Sequence, residues 1–220
     1  MSDYDFEHMR RAMVASQLRT TGVADARVLA AVSEVPRERF VPEERLPVAY
    51  ADAAIPLGGG RELNGAMPTA RLLSEASPRR EDRAMVVGAA TGYSAALLER
   101  LARSVVAVEE DPALAAFARR ALAGTSVELV EGPLAAGHEA GAPYDLILID
   151  GAVESVPDAI VAQLADGGRL AAAILDQGVT RLGVGRKAGG AFGFTIFTDA
   201  AAAILPGFVK PRKFIFERAE

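Results

Sequence analysis

The chain has 220 residues, of which half are hydrophobic, and its 24 basic and 29 acidic residues give a formal net charge of −5. This length and a mean hydropathy of +0.18 predict a folded protein with a large core rather than a disordered one, and the acidic balance argues against a nucleic-acid-binding function. The absence of cysteine excludes disulfides and a cysteine nucleophile, and since no apolar run reaches ~20 residues and no signal-peptide pattern opens the chain, we expect a cytoplasmic protein.

The first 50 residues are predicted to be mainly helical. A helix over Glu7–Leu18 has apolar residues at i, i+4 spacing, and a second helix over Ala26–Val35 begins after the capping residue Asp25. Prolines then predict extended backbone over residues 36–42. Residues 51–68 are predicted to be a long irregular loop, a type of segment that is often functional in a compact domain.

A glycine-containing turn follows the first predicted strand of the α/β region. The strand is Ala84–Val87, the turn is Gly88–Gly92, and an alanine- and leucine-rich helix begins directly after it. Glu109 lies at the end of the next predicted strand. Glycines allow close approach of a ligand, and an acid in this position can bind ribose hydroxyls, so the pattern indicates a nucleotide-like ligand. The alternative is a tight turn with no ligand.

Strands and helices alternate around this turn, which predicts a parallel, doubly wound sheet. Ligands of such sheets lie beyond the carboxyl ends of the strands, where Gly88, Glu109 and Asp150 all fall. The last 45 residues differ, because they contain a hairpin with a glycine-bearing turn. Besides those above, helices are predicted at Thr69–Ala76, Pro112–Ala123 and Val156–Leu164, and strands at Ser104–Glu109, Val127–Val130, Asp145–Asp150, Arg169–Leu175, Val179–Lys187, Phe192–Phe197 and Phe214–Phe216.

The sequence resembles the protein-L-isoaspartate O-methyltransferase family in the segments Met13–Arg19, Arg27–Leu29, Val35–Pro42, Ala49-Tyr50, Gly88–Tyr93, Glu109 and Pro143–Asp145. The resemblance implies an α/β fold of the class I S-adenosylmethionine-dependent methyltransferase type, Rossmann-like, with a mostly parallel sheet and an antiparallel C-terminal strand. Residues 1–50 would be an N-terminal helical extension and residues 51–220 the methyltransferase domain. The implied reaction is methylation of the carboxylate of L-isoaspartyl or D-aspartyl residues in damaged proteins. Nucleic acid, membranes and metals are not expected as partners.

The resemblance also implies S-adenosyl-L-methionine as cofactor and S-adenosyl-L-homocysteine as product. The glycine turn would lie along the methionine part of the cofactor, Glu109 would bind the ribose hydroxyls, and the segment Gly132–Leu134 would approach the adenine. A carboxylate substrate, with a reference pKa of ~3.9, is ionised at pH 7 and needs no general base. Methyl transfer then gains mainly from positioning and from exclusion of water. The implied cofactor residues are Gly88, Ala89, Thr91, Gly92, Tyr93, Glu109, Gly132 and Pro133.

The loop before the sheet departs from the family pattern Gly-Gln-Thr-Ile-Ser-Gln-Pro, whose Thr and Ser lie at the substrate carboxylate. Here the sequence is Gly60-Arg-Glu-Leu-Asn-Gly-Ala66. Glu62 would repel a carboxylate unless Arg61 neutralises it, whereas Asn64 can still donate a hydrogen bond. Two further departures affect the cofactor side, where alanine replaces a family glycine at position 90 and proline replaces an aspartate at position 133.

Asp150 indicates an alternative function. The sequence Asp150-Gly151 resembles small-molecule O-methyltransferases, in which an acid at this strand end can face the substrate. We therefore take Glu62, Asn64 and Asp150 as the candidate catalytic residues. The alternatives to isoaspartyl methylation are a small-molecule O-methyltransferase and a catalytically degenerate protein that binds cofactor or acts by interaction. An NAD-dependent dehydrogenase is disfavoured by the glycine spacing and by the C-terminal hairpin.

Overall fold

The computed structural model describes residues 4–208, and its centre is a seven-stranded sheet. A two-stranded antiparallel hairpin, β1 (Ile55–Gly58) and β2 (Arg61–Leu63), lies outside this sheet. The strands of the main sheet are β3 (Arg83–Val87), β4 (Ser104–Glu109), β5 (Glu128–Glu131), β6 (Tyr144–Val153), β7 (Leu164–Asp176), β8 (Val179–Ala188) and β9 (Ala191–Asp199).

The strands lie in the order β5-β4-β3-β6-β7-β8-β9. From β5 to β7 all neighbours are parallel, whereas the β7–β8 and β8–β9 pairs are antiparallel. This arrangement confirms the predicted fold class, including the antiparallel C-terminal addition. The strand order reverses direction at β3 and β6, and the carboxyl ends of neighbouring strands at such a point frame the usual ligand crevice of an α/β sheet.

Two of the described helices, α1 and α2, form the N-terminal region, and the other four follow in the chain among the strands. Helix α5 begins as predicted, because the Asp111 carboxylate accepts hydrogen bonds from the backbone N–H groups of Ala113 (2.8 Å) and Leu114 (3.1 Å). Asp25 caps α2 in the same way. The helices are α1 (Phe6–Met13, continued by a π-helical turn over Val14–Leu18), α2 (Ala26–Glu34), α3 (Ala66–Ala76), α4 (Tyr93–Glu99), α5 (Pro112–Ala121) and α6 (Asp158–Ala162).

The N-terminal region and the sheet share one hydrophobic core. Leu18, Val32 and Phe40 are buried in the same cluster as Val86 of β3 and Leu148 of β6. Burial of this kind contributes roughly 25 cal/mol per Å² of apolar surface. The N-terminal helices therefore help to hold the sheet face against which they pack.

Three local predictions were wrong. Residues 36–42 are not extended throughout, since Arg37–Phe40 forms a 3₁₀ helix; proline restricts only the residue before it, and Val35 and Val41 are indeed extended. The loop over residues 51–68 contains the β1–β2 hairpin and the start of α3. Helix α6 is shorter than predicted, because Leu164 already belongs to β7. The predicted strand Phe214–Phe216 lies outside the described residues.

Candidate functional site

The glycine turn joins β3 to α4 at the carboxyl edge of the sheet. The backbone N–H groups of Gly88 and Ala89 donate to the carbonyl of Val108 on β4, at 3.0 and 3.1 Å. Gly88 (φ +78°) and Gly92 (φ +101°) have left-handed backbone conformations that favour glycine. Ala90 has φ +49°, which is uncommon for a residue with a side chain. The position at which the family has glycine therefore still adopts a glycine-like conformation.

Glu109 ends β4 directly beside this turn and is fully buried. Its carboxylate accepts a hydrogen bond from the Ala90 N–H at 2.7 Å and from the N–H groups of Glu110 and Asp111, both at 3.0 Å. The turn and the strand end thus hold the carboxylate in one orientation. This is the placement that the sequence predicted for a ribose-binding acid.

Arg61 completes the surroundings of Glu109. Its guanidinium donates two parallel hydrogen bonds to the carboxylate, Nη1 to Oε1 at 2.5 Å and Nη2 to Oε2 at 2.8 Å, and its side chain is only 6% exposed. The sequence predicts that Arg61 can neutralise its neighbour Glu62. The structure contradicts that pairing, because alternate residues of a strand point to opposite sides and Arg61 points inward.

Tyr93 and Thr91 connect the turn to the N-terminal region. Thr91 Oγ1 donates to the carbonyl of Phe40 at 2.6 Å. The Arg37 guanidinium lies 4.7 Å from the centre of the Tyr93 ring, and the Phe40 ring lies 5.7 Å from it. Burial raises the pKa of Tyr93 to about 12, and the Arg37 charge opposes that shift. The Tyr93 hydroxyl makes no hydrogen bond within residues 4–208.

Asn64 and Asp150, both predicted as catalytic residues, are brought together. Asp150 Oδ1 accepts hydrogen bonds from Asn64 Nδ2 at 3.2 Å and from Thr69 Oγ1 at 2.9 Å, and all three residues are buried. Arg37 donates to the carbonyl of Asn64 (2.8 Å) and to that of Ala49 (2.9 Å). Burial lowers the pKa of Arg37, and the neighbouring Tyr93 and Asp150 oppose that shift. The network fixes Asn64, one of the altered residues of the loop Gly60–Ala66, in the interior of the protein.

A segment near the C-terminal end of the described chain closes over β6. Ala152 donates to the carbonyl of Ala203 at 2.6 Å, and Leu205 donates to that of Ala152 at 3.0 Å. The backbone N–H of Ala203 also donates to Asn64 Oδ1 at 3.2 Å. The segment packs tightly, since a methyl group on Gly88 would lie 2.8 Å from the Leu205 side chain. Asn64 is thus held from three sides.

Glu62 is not part of this buried network. It is exposed on β2 and lines a cavity of about 330 Å³ whose wall also includes Gly65, the residue after the buried Asn64. Asp52 contributes a second carboxylate to the lining, so the cavity has a negative rim. The remaining lining residues are small or apolar: Ala53, Ala54, Gly65, Met67, Pro68, Ala201 and Ala202.

The segment predicted near the adenine follows β5. The N–H of Gly132 donates to the carbonyl of Glu109 at 3.1 Å, which places the segment next to the acid predicted to bind the ribose. Pro133 precedes a short 3₁₀ helix, Leu134–Ala136. The Leu134 N–H donates to the carboxylate of Glu110 at 3.3 Å. All predicted cofactor residues therefore lie on three neighbouring strand-end loops.

Three site residues were not predicted in the roles that the structure gives them. Arg61 on Glu109, Arg37 on Asn64 and Thr69 on Asp150 are contacts between residues 27 to 81 positions apart. The signal that could have identified Arg61 is its charge directly after the glycine-rich stretch Gly58–Gly60, since a buried arginine requires acceptors. Arg37 gives no such signal, because its neighbours Glu38 and Arg39 are charged as well.

Among residues 4–208, no three His, Asp or Glu side chains are grouped so that they could hold a metal ion. None of the helices in the same range has the length and apolar character needed to span a bilayer.

Comparison with known proteins agrees with the geometry. The family model "Protein-L-isoaspartate(D-aspartate) O-methyltransferase" matches residues 9–198. A protein-L-isoaspartate O-methyltransferase of Methanoregula boonei is 42% identical over 164 residues, covering 73% of this chain and 76% of the relative. One from Koribacter versatilis is 37% identical over 201 residues, covering 90% of each chain.

Solved structures share the fold. A protein-L-isoaspartate O-methyltransferase structure superposes with a TM-score of 0.78 at 24% identity, covering 90% of this chain and 66% of that one. A Plasmodium falciparum structure described as the same enzyme, in complex with S-adenosyl-L-homocysteine, gives 0.77 at 16% identity, with 92% and 99% covered. With 190 residues matched by the family model, the predicted family is confirmed: the chain belongs to the protein-L-isoaspartate(D-aspartate) O-methyltransferases.

Proposed function

We propose that the chain transfers the methyl group of S-adenosyl-L-methionine to the carboxylate of L-isoaspartyl or D-aspartyl residues in damaged proteins. Family membership supports the reaction and the cofactor. The observation that carries the proposal is the buried carboxylate of Glu109, fixed by backbone N–H groups beside the Gly88–Gly92 turn. We include in the proposal a cytoplasmic location and the absence of nucleic-acid and membrane partners.

The residues around the turn have the chemical groups that the cofactor requires. The cofactor, when bound, supplies an electrophilic methyl group on a sulfonium ion. Glu109 would accept hydrogen bonds from the ribose hydroxyls, Gly88, Ala89, Thr91, Gly92 and Tyr93 would line its amino-acid part, and Gly132 with Pro133 would border its adenine. Thr91 would do so through its backbone, because its hydroxyl is already bonded to Phe40. Arg61 conflicts with this fit, because its guanidinium holds Glu109 in the structure.

On the substrate side, we propose that Asn64 orients the reacting carboxylate. Its amide is fixed by Asp150 and Ala203, which makes Asp150 a positioning residue. The cavity next to Asn64 would take the peptide, and Glu62 at its rim would lower the affinity for an anionic substrate. Because the substrate is already an anion at pH 7, the site needs to position it and exclude water and does not need a base.

The small-molecule alternative is weakened. Two features favour it, the sequence Asp150-Gly151 and the altered loop Gly60–Ala66. The first loses weight, because Asp150 Oδ1 accepts hydrogen bonds from Thr69 and Asn64 within the protein. The altered loop is the support that remains for this alternative.

Calorimetric titration with S-adenosyl-L-homocysteine tests the cofactor assignment. We expect the unaltered chain to bind, and Glu109→Gln to bind at least about tenfold more weakly, because a neutral amide loses the charge-assisted hydrogen bonds to the ribose. Glu128→Gln is the matched control, since Glu128 is exposed at the opposite end of the neighbouring strand β5 and should leave the affinity unchanged. If the Glu109 and Glu128 variants bound equally well, the proposed ribose site would be wrong.

A further inference from the structure

The carboxylate of Glu109 has no acceptor position left. Oε1 accepts three hydrogen bonds, from Arg61 Nη1 and from the N–H groups of Glu110 and Asp111. Oε2 accepts two, from Arg61 Nη2 and from the Ala90 N–H. A carboxylate offers about four lone-pair positions, so these five donors saturate it. A ribose hydroxyl can bind Glu109 only if one of these donors leaves.

Two of the five N–H donors belong to the side chain of Arg61, and only these two can leave. The other three residues donate through the backbone, which is held by the strand end and by the glycine turn. Arg61 presents two parallel N–H groups, and a ribose diol presents two O–H groups, so each can serve the same pair of carboxylate oxygens. We therefore propose that Arg61 occupies the ribose position on Glu109 and is displaced when the cofactor binds. This inference rests on the proposed function and adds a residue that sets cofactor affinity.

The chain before Arg61 allows such a movement. Gly58, Gly59 and Gly60 all have left-handed φ values, of +92°, +58° and +76°. Side chains added at Gly58 or Gly60 would meet no atom within 4 Å, so this turn lies in open space. Leu63, two residues after Arg61, is 1% exposed and anchors the other end of β2. The side chain of Arg61 can swing out with the glycine turn while Leu63 stays in the core.

Displacement reduces the apparent affinity for the cofactor. The Arg61–Glu109 pair is almost completely buried, with side chains 6% and 0% exposed, so breaking it leaves a buried carboxylate until the ribose replaces the guanidinium. A protein that carried a neutral side chain at position 61 would bind the cofactor without this competition. Because Arg61 belongs to β2, its displacement by the cofactor would also move this strand, which bears Glu62 and is followed by Asn64.

Titration of Arg61→Gln with S-adenosyl-L-homocysteine tests the inference. We expect this variant to bind about tenfold more tightly than the unaltered chain, the gain expected when a bidentate, charge-assisted competitor is removed. Arg169→Gln is the matched control, because it breaks an equally buried pair at the amino ends of the strands, between Arg169 of β7 and Asp82, which directly precedes β3. This control should change the affinity by less than about twofold.

The outcomes separate the two claims. Equal or weaker binding by Arg61→Gln, with normal binding by the unaltered chain, would overturn the displacement and leave the proposed function standing. Absence of binding by all three proteins would overturn the proposed function, and the displacement with it. If both arginine variants bound more tightly, the cause would be the lower stability of the fold and not the removal of a competitor. That result would also overturn the inference.

Hydrogen exchange on the unaltered chain gives a second test that needs no variant. Addition of S-adenosyl-L-homocysteine should slow exchange of the backbone amides at residues 88–93 and speed exchange at residues 58–62 at least about twofold, because the hairpin loses its link to Glu109. If both segments became slower, Arg61 would remain in place in the complex and the inference would fail. This measurement decides alone if Arg61→Gln does not fold.

Discussion

At the scale of the residue, Ala90 adopts a conformation that favours glycine. Its φ of +49° costs about 1–2 kcal/mol relative to glycine, and Ala90→Gly would relieve this strain. The same substitution removes a buried methyl group and gives the unfolded chain more freedom, which together cost a similar amount. We therefore expect Ala90→Gly to change the free energy of unfolding by less than about 0.5 kcal/mol, as measured by urea denaturation.

The control for Ala90 is Ala118, which is buried in the regular helix α5. There no strain is relieved, so Ala118→Gly should cost about 1.5–2 kcal/mol. Equal losses for the two variants would show that position 90 is not strained.

The buried Tyr93 predicts a loss of folding stability at alkaline pH. Its pKa is raised by burial from an unfolded value of about 10 to about 12. Between these values the folded protein retains a proton that the unfolded chain has lost, so stability is fully present below pH 10 and falls as the pH rises towards 12. The expected loss from this group is about 2–3 kcal/mol.

Tyr93→Phe should remove this contribution. Because the Tyr93 hydroxyl has no hydrogen-bond partner within the described residues, we expect the variant to be within about 1 kcal/mol of the unaltered chain at pH 7. Between pH 10 and 12 the variant should lose less stability than the unaltered chain. Parallel stability–pH curves in urea denaturation would contradict the assignment.

At the scale of the element, strand β2 determines how the site departs from its family. Its inward residue, Arg61, pairs with Glu109, and its outward residue, Glu62, lines the cavity beside Asn64. We expect Glu62→Thr to lower KM for an isoaspartyl peptide about three- to tenfold with little change in kcat, because a repulsive charge at the rim acts on substrate binding.

Glu62→Gln separates charge from shape in this experiment. If repulsion is the cause, the glutamine variant should recover most of the gain, and added salt should lower KM for the unaltered chain more than for either variant. An unchanged KM in both variants would remove Glu62 from the substrate site.

Sequence patterns predicted the elements better than the contacts between them. The alternation of apolar strands and helices and the Asp111-Pro112 helix start are local signals, and the structure confirmed the sheet and α5. The prediction of extended backbone was wrong at Arg37–Phe40, because a proline restricts only the residue before it. The pairing of Arg61 with Glu109, 48 residues away, depends on the tertiary position of a hairpin that no local signal predicted.

At the scale of the whole molecule, the N-terminal region supports the cofactor turn directly. Phe40 accepts the hydrogen bond of Thr91, and Arg37 lies over Tyr93 and bonds to Asn64. The division of the chain at residue 50 stays a prediction. Because of these contacts, we expect the part from residue 51 onward, prepared on its own, to lose binding of S-adenosyl-L-homocysteine in calorimetric titration. Binding as tight as that of the whole chain would show that residues 1–50 are a separable extension.

We propose that this chain methylates isoaspartyl residues despite the altered sequence of its loop Gly60–Ala66. The most direct test is transfer of labelled methyl from S-adenosyl-L-methionine to a synthetic peptide that contains one L-isoaspartyl residue, compared with the same peptide containing normal L-aspartate. We predict label in a base-labile methyl ester on the isoaspartyl peptide and at least about a hundredfold less on the aspartyl peptide. Equal labelling of the two peptides, or none on either with the cofactor bound, would contradict this account.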